Sequence, residues 1–191
     1  MNNFMNNLDK TTKRLRKSAF SYLARYEVSE YQFEITMKRK LSYFENSLNE
    51  TEKTKVIKVL KDEMIKAHFI DDKRYAETKV RSIRRQGGSE RFIHAKLNEK
   101  RISNNLIRLA IETVDEGNEN AEIKAALTFM KKKNIGIFYK NNNTVNQNDV
   151  YTLREKWLSA LSRRGFPLEI IKKVINIDDI SNANQILEET I

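Results

Sequence analysis

One spacing of apolar residues recurs along the chain and limits what it can fold into. An apolar residue near a helix end is followed five positions later by a second one, then by a helix-starting residue, and four positions further by a third apolar residue. The four segments are Leu23, Val28, Ser29 and Phe33; Ile65, Ile70, Asp71 and Tyr75; Leu97, Ile102, Ser103 and Ile107; and Leu161, Phe166, Pro167 and Ile171. This spacing predicts a corner between two helices, where the middle apolar residue fills the turn and the outer two pack across it.

The corners also recur at a regular interval. Leu97 follows Ile65 by 32 residues and Leu161 follows Leu97 by 64, with a less distinct corner around Met130 and Ile135. Because a short helical repeat produces such a ratio, we expect three units of three helices, and each unit must stack on a neighbour to bury its apolar face. The expected units span residues 12–67, 72–116 and 119–176.

Composition agrees with a helical repeat. The chain has 191 residues with only one Pro and five Gly, which disfavours turn-rich folds and Gly-rich phosphate loops. The hydrophobic content of 39% and the mean hydropathy of −0.68 indicate a thin core. The predicted fold class is therefore all-α, an elongated curved array of three tandem three-helix repeats with about nine helices. Outside the repeats we expect a flexible N-terminus (1–11), an Asn-rich loop (134–148) and an acidic C-terminal tail (177–191).

The charge balance narrows the possible partners. A net charge of +10 and a pI near 9.6 favour polyanionic partners, such as nucleic acid or an acidic protein surface. The absence of Cys excludes disulfides, thiol catalysis and Cys-based zinc sites. The sequence has no apolar run long enough for a membrane span and no apolar signal core. We expect a cytoplasmic protein without a cofactor that is a monomer and does not bind membranes.

The stretch FIDDKRYAETKVRSIRRQGG, residues 69–88, allows two interpretations. In the first, Asp71, Asp72 and Glu77 hold a catalytic metal beside a phosphate-binding surface, as in a nuclease. In the second, the aspartates start a helix whose cations form a docking face. A metal site would need further converging carboxylates or His, and the chain has only two His.

The second interpretation is favoured by the position of Asp71 in its corner. Asp71 occupies the helix-start position of the repeated pattern, where a carboxylate accepts first-turn N–H groups and favours the positive end of the helix. The predicted helix starts are Ser29, Asp71, Ser103 and Pro167.

The cations after Asp71 form a stripe on the predicted fourth helix. Arg74, Arg81 and Arg85 lie at positions i, i+7 and i+11, beside an apolar stripe. More cations follow near later helix ends, and stacked repeats could align them. The predicted basic strip, for docking a partner or DNA, consists of Arg74, Arg81, Arg84, Arg85, Lys96, Lys100, Arg101, Lys131, Lys132, Lys133, Arg163 and Arg164. No catalytic, cofactor-binding or metal-binding residue is predicted.

Three segments resemble one family, the bacterial RecX recombination regulators. They are FIDDKRYAETKVRSIRRQGGSERFIHAKLNEKRISNNLIRLAIE (69–112), KWLSALSRRGFPLEIIKKVI (156–175) and YLARYEVSEYQFEITMKRKL (22–41). The resemblance extends over about residues 15–176. The segment KKKNIGIFYKNNNTVNQND (131–149) departs from the family pattern.

The resemblance implies both a fold and a partner. The fold is a nine-helix array of three triple-helix repeats. The partner is the RecA recombinase filament on single-stranded DNA, in whose groove family members dock. They modulate its ATP hydrolysis, strand exchange and filament growth, and they are not enzymes. The residues alone leave open a direct nucleic-acid-binding regulator, which would use one corner as a recognition helix and would bind duplex DNA as a two-fold dimer.

Overall fold

The computed structural model describes residues 2–45, 48–140 and 147–188. In this part of the chain it contains α-helices, one 3-10 turn and no β-strand, which confirms the all-α prediction. None of these helices is both long enough and apolar enough to cross a membrane. The helices are α1 Asn2–Leu23, α2 Glu30–Phe44, α3 Glu50–Lys66, α4 Asp72–Arg85, α5 Glu90–Asn98, α6 Asn104–Val114, α7 Ala121–Lys133, α8 Gln147–Arg163, α9 Leu168–Ile175 and α10 Ile180–Glu188.

Side-chain caps set where several helices begin. Ser29 and Gln32 form a capping box at α2, in which each side chain bonds the backbone N–H of the other residue. Ser89 and Ser103 accept hydrogen bonds from the third residue of α5 and of α6. Pro167 precedes α9 without a side-chain cap bond. Each of the three serine caps satisfies a backbone N–H that the helix itself leaves unpaired.

At two corners a backbone hydrogen bond joins the apolar residues that are five positions apart. The backbone N–H of Phe166 donates to the carbonyl of Leu161 at 3.2 Å, and that of Ile135 donates to Met130 at 3.1 Å. A hydrogen bond from a backbone N–H to the carbonyl five residues earlier closes a helix end when the residue just before the donor adopts the left-handed conformation. Asn134 does so, with φ of 54°. The corner that was least distinct in the sequence, around Met130 and Ile135, therefore closes as the corner at Leu161 and Phe166 does.

By its contacts the chain forms two compact units. The N-terminal unit comprises Met1–Tyr75 and Lys100–Ile102. Its core is built by α1, α2 and α3. The core side chains that are fully buried include Leu15, Phe33, Met37, Leu41 and Met64. Burying an apolar side chain of this size contributes about 1.5 to 3 kcal/mol to folding, so this cluster holds the three helices together.

The C-terminal unit comprises Ala76–Glu99 and Ser103–Ile191. One of its apolar clusters joins α7, α8, α9, α10 and the 3-10 turn Gly136–Phe138.

The turn-filling residues of the predicted corners are buried, as the spacing predicted. These residues are Val28, Ile70, Ile102 and Phe166.

Both ends of the described chain are more helical than expected. Residues 2–11 belong to α1, because no Gly or Pro interrupts this stretch and extending a formed helix is favourable. The acidic tail contains α10, a tenth helix, whose Ala183 is fully buried. Ile186 and Leu187 pack on the same cluster as Ala183, so apolar residues hold the tail against the C-terminal unit. Residues 189–191 lie outside the described part.

The Asn-rich loop is also shorter than expected. Phe138 in the 3-10 turn is buried against α7 and its neighbours, and α8 begins at Gln147. Residues 141–146 of the expected loop lie outside the described residues. Within residues 134–148, the first part therefore forms an ordered turn and the end belongs to α8.

We expect Asp71→Ala to lower the free energy of unfolding by about 1 kcal/mol, because it removes the side-chain acceptor at the start of α4. Thermal unfolding followed by circular dichroism measures this. Asp71→Asn is the matched control: it retains an oxygen acceptor and should be close to the wild type. Equal losses for the two variants would show that capping is not what Asp71 contributes.

Candidate docking surface

The two aspartates at the start of α4 cap different helices. One carboxylate oxygen of Asp71 accepts hydrogen bonds from the backbone N–H groups of Lys73 (2.9 Å) and Arg74 (3.0 Å). The carboxylate of Asp72 accepts one from the backbone N–H of Glu30 at 2.9 Å, at the first residue of α2. The adjacent acids that suggested a metal site therefore each satisfy the N-terminus of a helix.

The remaining chemistry near Asp72 reflects burial. Burial raises the pKa of Asp72, and the hydrogen bond from Glu30 opposes that rise. Burial, together with the neighbouring charge of Asp72, raises the pKa of Tyr75 to about 12. Glu77, the third ligand of the nuclease hypothesis, forms an ion pair with Arg81 at 3.5 Å. Among the residues that the structure describes, no group of three or more His, Cys, Asp or Glu could hold a metal ion.

Arg74 is tied to its own unit. Its Nε donates to the carboxylate of Glu27 at 3.0 Å, and its guanidinium also donates to the backbone carbonyls of His68 (3.2 Å) and Phe69 (3.5 Å). Those carbonyls follow the end of α3, where backbone acceptors lack helical partners. Arg74 therefore closes the α3–α4 corner, and we omit it from the docking surface.

Arg84 is buried, in contrast to its expected place on the basic strip. Only 11% of its side chain is exposed. The guanidinium binds both carboxylate oxygens of Asp115, at 2.6 and 3.2 Å, and also Glu122 and the carbonyl of Gly88. Burial acts to lower the pKa of Arg84, but the hydrogen bonds to the two carboxylates outweigh it and raise the pKa.

Arg84 does not face solvent because its side chain points from α4 toward the neighbouring helices. Asp115 ends α6 and Glu122 lies in the first turn of α7, so this arginine joins three helices of the C-terminal unit. Glu122 also accepts the backbone N–H of Glu90, at the start of α5. The sequence pattern did not predict Asp115 and Glu122 as partners of Arg84. The one signal for them was their place on either side of Gly117, where a helix was expected to end.

Two buried serines hold other members of the strip in place. The hydroxyl of Ser89 donates to the backbone carbonyl of Arg164 at 2.7 Å, and the hydroxyl of Ser29 donates to that of Lys100 at 3.2 Å. Next to Lys100, the guanidinium of Arg101 lies 4.2 Å from the ring centre of Tyr31. Ser89, which caps α5, thus also binds the corner after α8, and Ser29, which caps α2, also binds the corner after α5.

Arg164 is held within the C-terminal unit as well. Its guanidinium lies 3.8 Å from the ring centre of Phe92 and donates to the carbonyl of Gly87 at 3.3 Å. Burial lowers the pKa of Arg164. A guanidinium over an aromatic face gains a favourable cation–π interaction, so Arg164 stabilises the packing of α5 against the α8–α9 corner.

Several exposed cations of the predicted strip lie on α4 and at the end of α7. Arg81 and Arg85 are exposed on α4, and the Nζ of Lys132 donates to the backbone carbonyl of Arg85 at 2.8 Å. Lys131 is exposed and donates to Asn184 of α10 at 3.2 Å. The other exposed members of the predicted strip in this unit are Lys96, Lys133 and Arg163. Arg74, Lys100 and Arg101 belong to the N-terminal unit.

Comparisons with known proteins show which proteins the chain is similar to. Residues 71–111 match the profile of a family domain described as "RecX, second three-helix domain". The match covers all of α4 and α5 and most of α6. The chain is also 29% identical over 164 residues to "Regulatory protein RecX" of Myxococcus xanthus (strain DK1622), covering 85% of this chain and 84% of that protein.

A solved structure has the same fold. The crystal structure of RecX from Lactobacillus salivarius superimposes with a TM-score of 0.60 at 19% sequence identity, covering 87% of this chain and 96% of that one. At this identity the likeness concerns the fold. The fold class is thus a helical-repeat protein. The matches confirm the resemblance to the RecX family.

Proposed function

We propose that the protein docks on the RecA recombinase filament assembled on single-stranded DNA and reduces its ATP hydrolysis, strand exchange and filament growth. The observation that carries this proposal is the match of residues 71–111 to the second three-helix domain of RecX. The protein would regulate DNA repair and recombination by binding, as a cytoplasmic monomer without catalysis or a cofactor. Its repeats would span residues 12–67, 72–116 and 119–176.

The charges support docking on a polyanion. The exposed cations at the ends of α4 and α7, among them Arg85, Lys132 and Lys133, can face phosphates or acidic filament surfaces. Several weak contacts on one chain add through their high effective concentration. Such binding should weaken as salt rises, because each phosphate contact releases a counterion.

The triple variant Arg85→Glu, Lys132→Glu and Lys133→Glu tests the proposal. We expect it to bind RecA filaments on single-stranded DNA at least tenfold more weakly, because it reverses three exposed charges of the predicted strip. Each lost phosphate contact should also remove roughly 0.7 to 0.9 from the slope of log affinity against log salt. Fluorescence anisotropy over a salt series measures binding, and ATP hydrolysis by the recombinase measures regulation.

The matched control is Lys156→Glu, Lys172→Glu and Lys173→Glu, three exposed cations of the same unit that lie outside the predicted strip. Circular dichroism checks that both triples remain folded. If the two triples weaken binding equally, net charge suffices and the docking surface is wrong. Tight binding to duplex DNA of one sequence without recombinase would instead favour the direct nucleic-acid-binding regulator.

A further inference from the structure

A small cleft in the C-terminal unit has an apolar floor. It lies between the C-terminal half of α4, the end of α6 and the first half of α7, and its volume is about 270 Å³. Val114, Ala121 and Ala125 line it, and Val114 and Ala125 are themselves buried. The hydroxyl of Thr128, which also lines the cleft, donates to the carbonyl of Lys124 on its own helix. The floor therefore presents mainly aliphatic groups to an incoming molecule.

The rim of the cleft is positive. Arg81, Arg85 and Lys124 line it from two sides. The acid among the lining residues, Asp115, accepts hydrogen bonds from two nitrogens of the largely buried Arg84 guanidinium, so its charge is compensated within the protein. Arg81 pairs with Glu77 at 3.5 Å, with 52% of the arginine side chain exposed. The contact is long and the arginine faces solvent, so a carboxylate from a partner can compete for Arg81.

The size and the lining of the cleft select its occupant. Pockets for small-molecule ligands usually measure about 300 to 1,000 Å³, so this cleft is small for such a ligand. A nucleobase would need an aromatic platform for stacking, and the lining contains no Phe, Tyr or Trp. One large side chain of a peptide fits, because aliphatic walls bury it and the cationic rim attracts acidic neighbours.

We propose that this cleft binds an acidic peptide segment of a partner protein, which inserts one large apolar side chain against Val114, Ala121 and Ala125. The carboxylates that flank this anchor residue lie against Arg81, Arg85 and Lys124. The apolar contact gives specificity for the anchor, and the cations speed and strengthen the encounter. The site shares Arg85 with the proposed docking surface, but its apolar floor of Val114, Ala121 and Ala125 takes no part in that surface.

Fluorescence anisotropy with defined peptides tests the site. The probe is a fluorescein-labelled peptide in which Asp and Glu flank one Leu, and the comparison peptide has Ser in place of Leu. We expect the Leu peptide to bind tenfold or more tightly than the Ser peptide, as the burial of a Leu side chain implies. A peptide with Asn and Gln in place of the acids should also bind tenfold or more weakly.

Two variants separate the apolar floor from the charged rim. Ala121→Leu with Thr128→Leu fills the cleft and leaves every cation in place, so the preference for Leu over Ser should disappear. Arg81→Gln with Lys124→Gln should weaken both acidic peptides and reduce their dependence on salt. The control pair, Lys172→Gln with Lys173→Gln, changes the net charge equally on α9 and should leave the Leu preference intact.

Three results would overturn the proposal. The first is equal binding of the Leu and Ser peptides to the wild-type protein, which shows charge attraction alone. The second is an unchanged Leu preference in the filled variant. The third is an oligothymidylate of equal charge that binds more tightly than the Leu peptide and is displaced by filling the cleft. Because these assays contain no recombinase, their failure is distinct from failure of filament docking.

Discussion

Replacing Arg84 by alanine should lower the free energy of unfolding by about 3 to 5 kcal/mol, the usual cost of removing one partner from a buried ion pair. The guanidinium is the shared partner of Asp115 and Glu122. Without it, two carboxylates that are each about one-fifth exposed or less remain close together and lose their cation. The carbonyl of Gly88 loses a donor as well. Denaturant unfolding followed by circular dichroism measures the loss.

Arg81→Ala is the control for Arg84→Ala. Arg81 lies one turn earlier on the same helix, and its half-exposed side chain makes one long contact of 3.5 Å with Glu77, so its removal should cost less than about 1 kcal/mol. Arg84→Lys should fall between the two alanine variants, because an ammonium keeps the charge but cannot bind Asp115 through two parallel hydrogen bonds. If Arg84→Ala and Arg81→Ala unfold at the same denaturant concentration, the pairing of Arg84 contributes no net stability.

The contrast between Arg81 and Arg84 shows the limit of the sequence prediction. The spacing placed both on the surface of one helix, and the helix did form as predicted. Whether an arginine meets solvent or a buried acid depends on the residues that another helix brings to it. Asp115 and Glu122 lie more than thirty positions away, and the residue spacing within α4 does not predict them.

The corners were predictable because they rest on local physics. A cap residue, an apolar residue that fills the turn and a bond five positions back all lie within one short segment. The residues that end two of these corners in the left-handed conformation were not predictable, since His68 and Arg101 occupy positions that usually favour Gly. Packing of the buried Ile70 and Ile102 after them offsets this local cost.

The amount of ordered structure in the tail and in the Asn-rich loop was underestimated for a different reason. Residues 177–191 were assigned by their acidic charge, whereas Ala183, Ile186 and Leu187 decide how the described part of this segment folds. Phe138 likewise orders a turn inside an Asn-rich stretch. A few apolar residues in a polar segment gain their stabilisation from a distant surface, which composition does not show.

Gly87→Ala should lower the free energy of unfolding by about 2 to 5 kcal/mol, from a left-handed backbone cost of about 1 to 2 and an overpacking cost of about 1 to 3. Gly87 has φ of 73°. A Cβ there would lie 2.5 Å from the backbone nitrogen of Phe129 and 2.8 Å from the carbonyl oxygen of Ala125. Both are backbone atoms of α7, so the α4–α5 turn or the whole helix must move.

Gly117→Ala isolates the two costs. Gly117 has the same φ of 73°, but no atom lies within 4 Å of the Cβ position. Its substitution should therefore cost only the backbone term, about 1 to 2 kcal/mol. The difference between the two variants measures how tightly the α4–α5 turn packs on α7. Equal melting temperatures for Gly87→Ala and Gly117→Ala would mean that the turn can separate from α7 at no cost, and that the close approach does not hold the C-terminal unit together.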